Sequence, residues 1–448
     1  AAPFPQGRLR YRNQSAAYTL GLQNLSAEEW KSHFCDFQPL SANITKPLAL
    51  RYHGHQFRHY NPDLGDGRGF LFAQIQTDGK LYDLGTKGSG QTPYSRRGDG
   101  RLTLKGAFRE ILATELLESY GVNTSKTFSV FETGESLERH DEPSPTRAGV
   151  LVRMSHSHIR IGAFQRLAYY EETENIKKLL HYCVRHYYPH IAGFSDAELA
   201  ATFLQKVSAS IAKTTAEWMM AGFVHGVLNS DNMNITGESF DYGPYRFLPY
   251  YDPNFTAAYF DQQGLYCYGR QPSAVLWNLF QLGGALKKAY PELPVDELLE
   301  DFGDEFNVQV RIKLLSRLNL RNPLEEDSAA QNLNEDLVIH LFKFLDETRA
   351  PFEQTFYDLH SGYNPERLKK SPQAKAYEHM SFKDLADTLE CFEISDEVKA
   401  QHDYFKSGKA CSLIIDELEA IWAPIAERDD WSLFERKLEH IRSFRGIY

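Results

Sequence analysis

The sequence reads Leu64-Gly-Asp-Gly-Arg-Gly-Phe-Leu-Phe-Ala-Gln-Ile-Gln-Thr-Asp-Gly-Lys-Leu-Tyr-Asp-Leu-Gly-Thr-Lys87 at the point that decides the fold. Residues 69–76 and 81–87 have the composition of β-strands, and Asp78-Gly79 between them is a strong signal for a tight hairpin turn. Three alternate glycines at 65, 67 and 69 stand just before the first strand. Because bare glycine backbone can approach a ligand closely, the segment predicts a hairpin with a ligand-binding loop at one end.

A helix is predicted directly after this hairpin. From Leu104 to Tyr120 the apolar residues recur at spacings of three and four, and Gly121 follows as a C-cap. The order of glycine loop, hairpin, Lys87 and a helix bearing a glutamate is the phosphate-handling layout of the small lobe of protein kinases. On helical angle alone, Glu115 falls in the apolar face and Glu110 near its edge. Either can be the partner of Lys87.

A second constellation lies in the middle of the chain. His225-Gly-Val-Leu-Asn-Ser-Asp-Asn232 and Asp241-Tyr-Gly243 align with the kinase catalytic loop and its metal-binding D-F-G triplet. The position of the kinase base is occupied by Val227, which cannot accept a proton. Asp231 is the acidic side chain nearby, and it precedes the predicted metal ligand Asn232.

The composition excludes several classes of protein. Hydrophobic residues make up 42% and charged residues 24% of the chain, as in globular proteins, and no apolar run approaches the length of a membrane helix. The net charge of −11 disfavours a nucleic-acid binder. Residues 51–110 nevertheless carry ten Lys and Arg against six Asp and Glu, which indicates one anionic ligand. Five widely spaced cysteines favour a reducing compartment such as the cytoplasm.

The remaining patterns predict an α+β, two-lobed, protein-kinase-like fold. We expect an N-terminal extension over 1–45, a strand-rich N-terminal lobe over 46–165 and a mainly helical C-terminal lobe over 166–448. Further strands are predicted at 128–131 and 149–154. Predicted helices after residue 165 are 176–188, 196–221, 273–286, 295–318, 335–349 and 410–420.

Six stretches together resemble the selenoprotein O family, which consists of protein adenylyltransferases with a kinase-like fold. The resemblance extends over roughly residues 45–290, and the chain diverges after about 290. Its motifs are Tyr52-His-Gly-His-Gln-Phe57, Leu64–Gly69, Lys87-Gly-Ser-Gly-Gln-Thr-Pro-Tyr-Ser-Arg96, Gly98-Asp-Gly-Arg101, His225–Met233 and Phe240-Asp-Tyr-Gly-Pro-Tyr245.

The resemblance implies a role for each matching residue. Asp231 would accept a proton, Asn232 and Asp241 would bind Mg²⁺ or Mn²⁺, and Glu110 would be the partner of Lys87 that the residues alone left open. The implied nucleotide contacts are Gly65, Gly67, Arg68, Lys87, Asp99, Gly100, Arg153, Arg160 and Asp241.

The resemblance also implies the activity. The family binds ATP inverted relative to kinases and transfers AMP to hydroxyl side chains of proteins. We expect this chain to modify Ser, Thr or Tyr of protein substrates with release of pyrophosphate, and self-modification is left open. We expect a monomer in the cytoplasm, or in mitochondria if the protein is eukaryotic, without nucleic-acid or membrane partners. Two alternatives stay open: an ordinary ATP-dependent phosphotransferase, and a catalytically silent, nucleotide-binding pseudokinase scaffold.

Overall fold

The computed structural model describes residues 3–140, 142–191, 193, 195–324 and 328–448. Its strands are β1 Arg8–Arg12, β2 Gly54–Gln56, β3 His59–Asn61, β4 Leu71–Thr77, β5 Lys80–Lys87, β6 Leu102–Thr103, β7 Lys126–Leu137, β8 Thr146–Ser155, β9 Phe223–Val224, β10 Arg246–Phe247, β11 Leu320–Arg321 and β12 Glu393–Ile394.

The predicted hairpin is the edge of a six-stranded antiparallel sheet. Strands β4 and β5 pair with Thr77 opposite Lys80 across the Asp78-Gly79 turn, and the sheet order is β1-β7-β8-β5-β4, with β6 paired to β8. The first 45 residues contribute β1 to this sheet. They also bury Trp30 and Phe34 against Phe128 on one sheet face, so this segment is part of the layer that positions the hairpin.

Helices dominate the rest of the chain. They are α1 Gln14–Thr19, α2 Ala27–Phe34, α3 Leu104–Ser119, α4 Ile161–Tyr169, α5 Thr173–Tyr187, α6 Asp196–Met220, α7 Gln271–Lys287, α8 Val295–Leu299, α9 Phe302–Leu318, α10 Ser328–Thr348, α11 Phe352–Leu359, α12 Pro365–Lys370, α13 Ser381–Leu389, α14 Glu397–Ala400, α15 Ile415–Arg428 and α16 Ser432–Ser443. The expected change from strands to helices after residue 165 is confirmed.

Three helix predictions were wrong in detail. The helix predicted over 335–349 begins seven residues earlier, at Ser328. The single helix predicted over 295–318 is interrupted between α8 and α9, at residues 300–301. Buried Leu299 and Phe302 flank the break, so the apolar spacing continues across it and hides it. The helix predicted over 410–420 begins only at Ile415, because side chains from elsewhere bind the preceding backbone: the amide of Ala410 donates to Gln354 Oε1, and the amide of Cys411 donates to the Tyr404 hydroxyl.

The core joins the sheet to the helical region. Helix α3 is buried along most of its length, and its apolar residues belong to the same cluster as those of α6, α7 and α16. The fold is therefore α+β, with an antiparallel sheet, a mainly helical remainder and α3 packed between them. Within the described part of the chain, no helix combines the length and the apolar character needed to cross a membrane.

Candidate active site

A cleft of about 910 Å³ lies beside the glycine loop, between the sheet and the helical region. Eight Lys and Arg side chains line it against five carboxylates, counted among the described residues. The volume lies in the range of small-molecule sites, and the excess of positive charge suits an anionic ligand. The excess of Lys and Arg found in the sequence over residues 51–110 thus contributes to the positive charge of this cavity.

The glycine loop packs closely against neighbouring backbone and one aromatic ring. A side chain at Gly69 would place its Cβ 2.0 Å from the Thr86 carbonyl oxygen, and one at Gly65 would meet the Tyr94 ring at 2.4 Å. The Ser95 hydroxyl donates to the carbonyl of Gly67. The loop can therefore lie flat over the end of β5 only because these positions lack side chains.

Four charged side chains form a network at the cleft: three of them line it, Lys87, Arg153 and Asp241, and the fourth, Glu110, lies outside the set of lining residues. Lys87 Nζ lies 2.6 Å from Glu110 Oε2 and 2.9 Å from Asp241 Oδ1. Arg153 contacts the same two carboxylates, at 2.7 Å from Glu110 Oε1 and 3.0 Å from Asp241 Oδ1. Two cations thus face two anions, and the choice between Glu110 and Glu115 is settled: Lys87 is paired with Glu110.

Electrostatics keep this network ionised. Burial by itself would raise the pKa of Glu110, but the charges of Arg153 and Lys87 outweigh burial and lower it. Burial likewise opposes ionisation of Asp241, while Lys87 and Arg153 hold its pKa well below the usual range. An arriving phosphate therefore meets cations that are charged and already oriented.

A third buried cation, Arg160, lies near this network. The Arg160 guanidinium lies 3.4 Å from Asp66 Oδ1 and 4.2 Å from the centroid of the Tyr52 ring. Its Nε is buried without a hydrogen-bond partner among the described residues. Because an unpaired buried donor is costly, Arg160 is prepared to bind an acceptor that enters the cleft.

Asp231 is a buried carboxylate at the same cavity. Its side chain lines the cleft and is 7% exposed, and Oδ1 has no hydrogen-bond partner among the described residues. Burial raises the pKa of Asp231 to about 6, although Arg160 opposes the shift. Asp231 lies in a short 3₁₀ turn, Ser230–Asn232. The backbone amide of His55 donates a hydrogen bond to the Ser230 hydroxyl of this turn.

A hydrogen bond connects the motif His225–Asn232 to the segment that leads into Asp241-Tyr-Gly243. His225 Nε2 donates to the carbonyl of Phe240 over 2.9 Å, which places the residue before Asp241. Asp241 adopts a left-handed backbone conformation with φ of 65°, so its side chain turns toward Lys87. Asn232 lies outside the set of residues lining the cleft, and its Nδ2 donates to the Val227 carbonyl over 3.0 Å.

The donor set suits a hard cation that shares its ligands with a substrate. In the described residues, no group of three or more His, Cys, Asp and Glu side chains forms a metal cage. Mg²⁺ is usually bound by one or two carboxylates together with substrate phosphates. Asp241, which lines the cleft, and the amide of Asn232, which directly follows the cleft-lining Asp231, supply one carboxylate and one amide, and this small donor set fits that mode of binding.

The rim of the cleft contains the remaining predicted residues and several that the sequence did not indicate. Asp99 lies at the rim, where its carboxylate is 2.8 Å from Arg139. Gly100, with φ of 71°, accepts from the amide of Gly90, and Arg68 is exposed. Further polar residues lining the cleft, to which no role was assigned, are Tyr52, Gln56, Asp66, Thr86, Tyr94, Ser95, Arg96, Arg97, Arg101, Glu138, Arg139, His140, His158 and Tyr259.

Comparisons with known proteins match the whole chain. The model of the family described as protein adenylyltransferase SelO matches residues 1–442. A protein of Trichormus variabilis named protein nucleotidyltransferase YdiU is 41% identical over 462 residues, covering 99% of this chain and 92% of the relative. The protein of the same name from Synechocystis is 41% identical over 470 residues, covering 99% and 94%.

A more distant relative with this name, from Vibrio cholerae, is 38% identical over 65% of this chain and 58% of its own length. The similarity to the cyanobacterial proteins continues well beyond residue 290, where the motifs recognisable by eye end. The chain therefore belongs to the SelO family of protein adenylyltransferases.

Proposed function

We propose that this chain is a protein adenylyltransferase with a kinase-like, two-lobed arrangement, which binds ATP in the cleft and transfers AMP to Ser, Thr or Tyr hydroxyls of proteins. The observation that carries the proposal is Asp231, a buried carboxylate that lines the cation-rich cleft and has one oxygen without a hydrogen-bond partner among the described residues. Val227 at the kinase base position supports it, because a kinase reaction would lack its usual proton acceptor there.

The residues have complementary roles in this reaction. Glycine-loop amides at Gly65 and Gly67, with Arg68, Asp99 and Gly100 at the rim, contact the nucleotide. Lys87, Arg153 and Arg160 neutralise phosphates at the inner end of an inverted ATP, and Glu110 positions Lys87. Asn232 and Asp241 would hold Mg²⁺ or Mn²⁺, which would supply charge neutralisation at the phosphates.

The bond changes balance without any further reactant. The acceptor hydroxyl oxygen forms a bond to the α-phosphorus of ATP, and the bond from that phosphorus to the bridging oxygen of the β-phosphate breaks. The hydroxyl proton passes to the Asp231 carboxylate, and pyrophosphate leaves. Catalysis here rests on positioning and charge neutralisation.

An intact-mass measurement tests the activity. The protein is incubated with ATP and Mg²⁺ or Mn²⁺, alone and with candidate protein substrates, and we expect adducts of about 329 Da for AMP with release of pyrophosphate. An adduct of about 80 Da would instead show phosphoryl transfer. Nucleotide binding without any adduct would show a silent scaffold.

Removal of Lys87 is expected to weaken nucleotide binding. Lys87→Ala deletes a buried cation that already contacts Glu110 and Asp241, and hydrogen bonds between charged groups contribute about 1.5–3 kcal/mol. We expect ATP affinity measured by calorimetry to fall by roughly 10–150-fold. Lys80→Ala, at the exposed start of the same strand, is the matched control and should bind as wild type. Unchanged affinity in folded Lys87→Ala protein would contradict the assignment.

Metal removal is expected to stop the reaction. Mg²⁺ bound through one or two carboxylates and substrate phosphates has few protein ligands, so a chelator should extract it readily. We expect AMP incorporation to vanish in excess EDTA and to return when Mg²⁺ or Mn²⁺ is added back. Full incorporation in the chelator would rule out a metal at Asn232 and Asp241.

A further inference from the structure

Glu115, the glutamate of α3 that does not pair with Lys87, is buried and has a separate set of partners. Glu115 is 1% exposed, and Arg442 of α16 reaches it with Nε at 3.0 Å from Oε2 and NH2 at 2.9 Å from Oε1. Arg445 and the hydroxyl of Tyr11, from β1, also donate to Glu115. A buried carboxylate on α3 is thus held by the C-terminal end of the described chain.

Neighbouring contacts make this junction continuous along α3. Arg445 lies 3.2 Å from Glu118, and the Ser119 hydroxyl donates to the carbonyl of Ile441 over 3.0 Å. At the other end of the helix, the ring centroids of Phe108 and Phe434 are 5.5 Å apart. Apolar and charged contacts therefore fix the orientation of α16 on α3 over several turns.

The two glutamates of α3 face different partners. Glu110 and Glu115 are five residues apart, which in an α-helix corresponds to a rotation of about 140° and a rise of about 7.5 Å. Glu110 points to Lys87 and Arg153 in the cleft, and Glu115 points to α16. A helix with intact backbone hydrogen bonds moves as a rod, so whatever fixes Glu115 also limits where Glu110 can go.

Binding of a nucleotide would change the contacts that hold α3 at the cleft. In the structure, Glu110 shares Lys87 and Arg153 with Asp241. Phosphates that enter the cleft compete for the same two cations and weaken their hold on α3. Contacts outside the cleft must then keep Glu110 in place.

We propose that Arg442 and Arg445, acting through Glu115 and α3, are positioning residues that hold Glu110 where it orients Lys87 and Arg153 for phosphate. The inference rests on the proposed function, in that ATP is taken as the ligand of the cleft. It assigns to the C-terminal helix a part in nucleotide binding, although its residues lie outside the cleft.

A double-mutant cycle on ATP affinity tests this inference. The full chain is titrated with the α,β-methylene analogue of ATP and Mg²⁺, which binds without AMP transfer. We expect Arg442→Gln to weaken binding about tenfold in the wild-type background and less than twofold in a Glu110→Gln background. The second loss is smaller because Arg442 can no longer act through Glu110 once that carboxylate is removed. A merely structural role would give equal losses in both backgrounds and would overturn the inference, as would unchanged binding.

Matched variants keep the outcome interpretable. Arg436→Gln, exposed on the same helix, should bind as wild type, and Arg442→Lys should recover part of the loss. Thermal melting reports folding, and Arg445→Gln replaces Arg442→Gln in the cycle if the latter does not fold. If the wild-type protein binds the analogue but transfers no AMP from ATP, the proposed function fails while the cycle still decides the inference.

Discussion

Asp241→Ala is expected to abolish AMP transfer, with a loss of more than about 10³-fold, since a metal at transferring phosphates contributes several kcal/mol of charge stabilisation. The carboxylate lines the cleft, contacts both Lys87 and Arg153, and belongs to the triplet that we propose binds the metal. Removing it deletes a proposed ligand and leaves the surrounding apolar core intact. AMP incorporation per unit time, followed by mass or by radiolabelled ATP, measures the loss.

The same variant should bind ATP more tightly than wild type when no metal is present. Asp241 occupies Lys87 Nζ at 2.9 Å and Arg153 at 3.0 Å, so its carboxylate competes with phosphate for both cations. Asp241→Asn, which keeps the shape but not the charge, is the matched control and should show the same two effects. Transfer at the wild-type rate by either variant would refute the metal site, and weaker metal-free binding would refute the competition.

Local signals were sufficient to predict the hairpin and much of the cleft. The Asp78-Gly79 turn, the alternate glycines and the position of Lys87 depend on chain conformation over a few residues, and the structure places them as predicted. Asp241 could be located in the same way, because a short motif specifies it. These residues meet because antiparallel pairing and one buried helix bring them together.

The partner of Lys87 could not be chosen from helical angle, because the angle describes α3 without its surroundings. Glu110 and Glu115 are both 1% exposed, so burial does not separate them either. What separates them is the placement of α16, which brings Arg442 and Arg445 to Glu115 from more than 300 residues along the chain. No pattern within α3 carries that information.

The contacts of the buried cation Arg160 could not be predicted from the sequence either. Arg160 is held by the Tyr52 ring and Asp66, which lie on separate loops far from it along the chain. Both belong to motifs with a recognisable resemblance, yet only the folded structure shows that they contact Arg160. Arg139 at the rim had no signal at all, since it lies in a loop of ordinary polar composition.

Asp231→Ala is expected to lower the rate of AMP transfer by roughly 10²–10⁴-fold, the usual contribution of general-base catalysis, while ATP binding is kept. The buried carboxylate has an unpaired oxygen, and burial raises its pKa to about 6, which makes it a better proton acceptor than an ordinary aspartate. Val227→Asp should not create a kinase, because ATP bound in the proposed inverted orientation would present its α-phosphate to this part of the site.

Measuring affinity and rate on the same protein separates the roles open to Asp231. As a base it contributes to the rate of transfer, whereas as a metal ligand it would also contribute to binding of the metal–nucleotide complex. Retained activity in Asp231→Ala would reject both roles, and lost binding would reject the base. Glu238→Gln is the matched control: Glu238 is a buried carboxylate with a pKa raised to about 7 by burial, but it lies outside the set of cleft-lining residues. If Glu238→Gln is as inactive as Asp231→Ala, the loss reflects removal of buried charge in general, and Asp231 is not the proton acceptor.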